Sequence, residues 1–163
     1  MKAAVQIALL TLAPLGLLAC ATSAPAPATP ARTPRTALDV LRVREPETQW
    51  DAKSALRADF DQDGVEDDAL AGIRGDRFVV GIVQGPAGPG SRHWTLEFPW
   101  SSGSQDALCS RNARIAIEDL EEDASVQPAL AKAGKGINLH DDRCDAFHIY
   151  WDPESKRFDW WRL

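Results

Sequence analysis

The sequence predicts an all-β or β-dominated domain, a small antiparallel sheet with room for one short helix. Three observations predict it. Apolar residues recur at every second position over most of the second half, Gly-, Pro- and Asp-containing breaks separate those runs, and a single segment leaves a helical alternative open. In chain order, Ala69–Ile73 and Phe78–Val83 read as strands joined at Arg74-Gly75-Asp76, a hairpin loop in which Gly75 is free to take positive φ. Phe78–Val83 is nearly continuous apolar, the mark of a more central strand. Gln84–Ser91 is rich in Gly and Pro and is irregular. Trp94, Leu96, Phe98 and Trp100 then alternate with Thr95, Glu97 and Pro99. Ile115 and Ile117 alternate around Ala116, Ile137 and Leu139 around Asn138, and Phe147, Ile149 and Trp151 around His148 and Tyr150. Asp152-Pro153 starts the turn into a last strand, Arg157–Leu163. Ile117–Ala133, with its acidic run Glu118–Asp123 and Ala-rich tail, reads equally as the short helix or as a solvated loop.

The first twenty residues are of another kind. Lys2 supplies a positive start, and Val5–Leu18 form an apolar core broken by Gln6, Thr11, Pro14 and Gly16. A secretory core takes about 7–15 residues and a spanning helix about 20, so the stretch is an export signal and not a span. Leu17-Leu18-Ala19-Cys20 resembles the lipobox of bacterial lipoproteins. That resemblance implies a signal peptide over residues 1–19 and an acylated Cys20 at the mature N-terminus. Ala21 stands where an Asp would imply inner-membrane retention, so the resemblance places the protein on the periplasmic face of the outer membrane, held by its lipid. Residues 20–37, almost wholly Ala, Pro, Thr and Arg after Cys20, have nothing to bury, which makes them an extended tether. Residues 38–163 are the size of one domain.

Net charge is −6, and because Lys2 is the one charged residue before Cys20 the mature chain carries −7. This excludes nucleic acid as a natural partner and favours a cationic protein or metal ions. Apart from Cys20 the chain has two cysteines, Cys109 and Cys144, an even pair that reads as a disulfide in an exported domain.

One motif carries chemistry. Asp59-Phe60-Asp61-Gln62-Asp63-Gly64-Val65-Glu66-Asp67 places carboxylates at its first, third, fifth and ninth positions and Gly at its sixth. Calcium takes about 6–8 hard oxygen ligands, and odd positions of a tight loop turn inward to supply them. Asp59, Asp61, Asp63 and Asp67 are the side-chain ligands expected, with the Val65 carbonyl as a further oxygen and Gln62 pointing outward. Leu70 stands where a helix-loop-helix calcium hand has its bidentate Glu, and a strand follows. The motif is instead similar to the FG-GAP or VCBS calcium loop, which lies between strands of β-propeller blades. In that resemblance Asp67 is the closing ligand. More widely, Ala58–Leu163 resembles small periplasmic proteins of partial-propeller type with one such loop. Among these are lysozyme-inhibitor-like immunity lipoproteins that protect the wall from peptidoglycan hydrolases.

Motifs for enzyme chemistry are missing: there is no Gly-x-Ser-x-Gly, His-Glu-x-x-His, Cys-x-x-Cys or phosphate-binding Gly loop. His140-Asp141-Asp142 sits at a strand end, and Ser101, Ser102 and Ser104 have no base in view. The expectation is a non-enzymatic, calcium-stapled lipoprotein that binds another protein, a secreted hydrolase being the implied target. The other reading is an envelope-maintenance lipoprotein with no soluble target. Trp160 and Trp161 must point to opposite faces of their strand, so that one is exposed and can anchor an interface.

Overall fold

The computed structural model describes residues 36–100, 104–121 and 134–162. The expectations for the signal, Cys20, the tether up to residue 35, Ser101 and Ser102 fall outside these residues. Within them the order is α1 (Ala37–Arg44), β1 (Gln49–Trp50), a 3-10 turn (Ala52–Ser54), β2 (Leu56–Ala58), β3 (Asp67–Arg74), β4 (Arg77–Val83), β5 (His93–Pro99), β6 (Arg114–Leu120), β7 (Gly134–His140), β8 (Phe147–Asp152) and β9 (Arg157–Trp161). Every strand pairing is antiparallel. β1 and β2 both pair with β3, which continues to β4 and β5; β6-β7-β8-β9 form the second sheet in chain order. The domain is therefore two antiparallel meanders, β-dominated as expected.

The strands read by alternation all form. Phe78, Val80 and Ile82 of β4 face the second sheet, where they join Ile137, Leu139, Phe147, Ile149 and Phe158 in one core. Aromatic rings from both sheets meet there: Phe98 and Phe147 at 4.7 Å, Trp94 and Trp151 at 5.3 Å. The opposite face of β3 and β4, through Leu70 and Val83, is covered by Ala37, Val40 and Leu41 of α1 together with Trp50. A strand buried on both faces has no polar side to show, which is why Phe78–Val83 lacks alternation.

The helix lies elsewhere than expected. Ile117–Leu120 belongs to strand β6, and residues 122–133 fall outside the described residues. The helix is Ala37–Arg44, and it starts at the last residue of the expected tether. Thr36 caps it, its hydroxyl accepting from the Asp39 N–H at 3.1 Å. Asp39 lies in the first turn and Arg42 and Arg44 in the last, each on the favourable side of the helix dipole. Eight residues make two turns, too short for a period to register, and exposed Val43 blurs the apolar stripe.

Arg74-Gly75-Asp76 forms the tight β3–β4 turn as read, with Gly75 at φ +59°. Cys109 and Cys144 are bonded, Cα atoms 6.0 Å apart, joining the β5–β6 connection to the β7–β8 connection.

Candidate metal centre

The acidic loop is the connection between β2 and β3. Its ends are clamped by the ladder, in which Ala58 opposes Asp67, Arg57 opposes Asp68 and Leu56 opposes Ala69. Phe60 is wholly buried in the core between the sheets. This anchor at an even position sends its odd neighbours the other way. Asp59, Asp61 and Asp67 converge, one carboxylate oxygen from each lying within 4.8 Å of the others. Asp61 is 8% exposed and Asp67 0%, while Asp59 is half-buried.

Backbone amides fix these side chains. Asp67 accepts from Phe60 N–H at 3.0 Å, Asp61 N–H at 3.2 Å and Gly85 N–H at 2.9 Å, which ties the loop to the β4–β5 connection. Asp59 accepts from Asp63 N–H at 3.1 Å and Gly64 N–H at 3.0 Å. Gly64 takes φ +92°, the bend foreseen for the sixth position. Gln84 donates through Nε2 to both Asp61 (2.9 Å) and Asp63 (3.0 Å). Gly85 can approach only because it lacks a side chain, since a Cβ there would stand 1.9 Å from the Glu66 carbonyl oxygen.

Of the four expected carboxylates, those of Asp59, Asp61 and Asp67 converge. Asp63 is exposed and turns its carboxylate to the Val65 N–H at 2.8 Å and to Gln84, so it stands beside the convergent group. Val65 is exposed as well. Gln62 does not point freely outward. It takes a left-handed φ of +59°, and its amide would lie 2.4 Å from a Cβ placed on Gly134 of β7. Sequence reasoning missed Gln84 and Gly85, which come from a segment legible only as irregular.

The electrostatics are one-sided. Burial, then the Asp61 charge, push the Asp67 carboxyl up to about 6 against the pull of its three amide donors. Burial first, then the charges of Asp63 and Asp59, raise Asp61 as well. Among the described residues no Lys or Arg pairs with Asp59, Asp61, Asp63 or Asp67; the nearest in sequence, Arg57, is spent on Asp68. Converging carboxylates without a basic partner are a set of hard oxygen donors, and Asp59, Asp61 and Asp67 can hold a metal ion.

The other residues singled out are dispersed. Trp160 packs inward on Phe147 (5.0 Å) and Phe98 (6.0 Å). Trp161 faces the other way and stacks on His148 at 4.8 Å, beside Tyr150 at 5.3 Å. The two do point to opposite faces, but neither is exposed: both are half-buried, Trp161 because its ring lies on His148 and Tyr150. His140 lies 3.4 Å from Asp142, and His148, which alternation marked only as a strand position, meets Glu118 at 2.8 Å with Asn138 on the same carboxylate at 3.2 Å. Compared with known protein families, curated proteins and solved structures, the chain matches none of them.

Proposed function

We propose that this protein is a calcium-binding lipoprotein of the periplasmic face, in which the ion staples the fold and the β domain binds another protein, acting as an inhibitor or immunity factor toward a peptidoglycan hydrolase. The observation that carries the calcium reading is the convergence of Asp59, Asp61 and Asp67 with no basic partner among the described residues. Calcium fits this donor set because it prefers carboxylate oxygen and tolerates irregular coordination, where magnesium demands a near-ideal octahedron and dehydrates reluctantly. Asp63 and the Val65 carbonyl, on the same loop, are the next oxygens for its larger shell. The resemblance to FG-GAP-type loops agrees with the position of the loop between two strands of a meander. The acidic mature chain suits a cationic partner.

The ion should act on stability. At free calcium 100 times its dissociation constant, mass action adds about 2.7 kcal/mol. Calorimetry of the full-length chain carrying Cys20→Ser should show a higher melting temperature in calcium than in chelator. Identical melting in both would reduce the loop to an acidic turn.

The anchor has its own test. Metabolic labelling with a fatty-acid analogue should tag the wild-type chain, and Cys20→Ser should abolish tagging and membrane fractionation together. A label that survives the substitution would refute acylation of Cys20.

A further inference from the structure

The disulfide lies at a second, independent feature of the domain. Cys109 and Cys144 border a cavity of about 400 Å³ whose other walls are Ser104, Gln105, Arg143, Asp145 and Arg162. Cys144 is exposed and Cys109 half-buried. Exposed disulfides are the labile ones, because exchange requires a thiolate to reach a sulfur.

The two loops that this bond joins are also held together without it. Asp141, 2% exposed, accepts the backbone N–H groups of Cys109 and Ser110 from one loop and of Arg143 and Cys144 from the other. Ala107 and Leu108 are buried, and the Leu108 N–H reaches the Pro99 carbonyl at 2.9 Å. Trp100 donates its indole N–H to the Ser110 carbonyl at 3.0 Å. Arg162 donates to the Ala107 carbonyl at 2.8 Å. None of these contacts involves sulfur, so opening the bond removes a cross-link and leaves the two cysteine backbones anchored on one carboxylate.

We propose that Cys109–Cys144 is a thiol-exchange site, at which small anionic thiols enter the cavity and cycle the folded domain between its disulfide and dithiol forms. A thiolate bonds to Sγ of the exposed residue Cys144, the Cys109–Cys144 bond breaks, and its electron pair leaves on Cys109 Sγ, which takes a proton from water. A second thiolate attacks the first thiol's sulfur in the mixed disulfide, so that Cys144 leaves as a thiolate and is protonated in turn. Two thiols are oxidised to one small disulfide, and the protein takes up two electrons and two protons. The preference for an anionic thiol follows from the walls. Arg143 and Arg162 face the cavity against one lining carboxylate, Asp145, while the Asp141 carboxylate is engaged by four backbone N–H groups, on a chain of net charge −6.

The test uses the full-length chain carrying Cys20→Ser, so that two cysteines remain. Reduced glutathione and cysteamine, matched in thiolate concentration, supply an anionic and a cationic probe. Alkylation and mass measurement under native conditions should find two trapped thiols in a protein that still melts cooperatively, and oxidised glutathione should close the bond again. Glutathione should react several-fold faster than cysteamine, and Arg143→Gln should shrink that ratio. Thiols that appear only at the rate of global unfolding, a reduced protein without a cooperative transition, or equal rates with the two probes would each overturn the proposal. The Cys109→Ala/Cys144→Ala chain serves as a check free of thiol chemistry: it should fold, and its failure to fold would also overturn it.

Discussion

Asp67→Ala should destabilise the domain by about 3–4 kcal/mol even in chelator, and should in addition abolish the response to calcium. The first effect comes from the amides of Phe60, Asp61 and Gly85, which lose their acceptor in a buried place. An unsatisfied buried donor costs about 1–3 kcal/mol, and access of water to the Gly85 side brings the total below the simple sum. Working against this loss, a carboxyl held up to about 6 is ionised at neutral pH against resistance, so its removal relieves some repulsion from Asp61. Asp67→Asn separates the two contributions. It keeps one oxygen, enough for the Phe60 and Asp61 N–H groups, but turns an NH2 toward the Gly85 N–H that the other oxygen accepts from, so in chelator it should cost about 1–2 kcal/mol, less than Ala. In calcium it should fall behind wild type, because the ion has lost a charged ligand. Urea denaturation of wild type and both variants, each in calcium and in chelator, reads all of this. A calcium response undiminished in Asp67→Ala would mean that the ion is held elsewhere; equal losses for Ala and Asn in chelator would mean that the amide bonds do not hold the loop.

That experiment turns on contacts that local sequence does not display. The carboxylate spacing of residues 59–67 is legible, because a metal loop needs its oxygens at fixed intervals and its bend at a glycine. The strands are legible for a similar reason: one sheet face packs into the shared core and the other carries polar or amphipathic side chains, so Trp94 to Trp100 and Phe147 to Trp151 alternate. What orders the loop is non-local. Phe60 anchors it because a second sheet lies beneath, and Gln84 and Gly85 reach it from a connection whose Gly and Pro content says only that it is irregular. The helix at Ala37–Arg44 is hidden for a different reason. Two turns against the back of β3 and β4 need only three buried residues, Ala37, Val40 and Leu41, and three residues make no pattern. His148 and Glu118 lie on strands 30 positions apart in sequence and meet only when β6, β7 and β8 stack in register.

Asp141→Ala should cost about 4 kcal/mol at neutral pH, a loss that shrinks in acid. The carboxylate gathers four backbone donors from two loops, and hydrogen bonds to a charged group contribute about 1.5–3 kcal/mol each before the cost of burying the charge is deducted. Burial on its own would raise this carboxyl; the four N–H groups outweigh it and hold the group below the usual 3.8. A group depressed on folding stabilises the native state above its unfolded pKa, and that stability is lost as pH falls through the folded value. The window therefore opens below about pH 4, and neutral pH lies on its plateau. Denaturation of wild type and Asp141→Ala at pH 7 and near pH 3 should give a gap that narrows in acid, part of it persisting because a protonated carboxyl still accepts hydrogen bonds. A gap of the same size at both values would show that the ionised carboxylate is not what joins the loops. Domains of this size are stable by about 5–15 kcal/mol in all, so Asp141→Ala should also leave the disulfide as the remaining tie between these loops. Reduction, tolerated by wild type, should then unfold the variant.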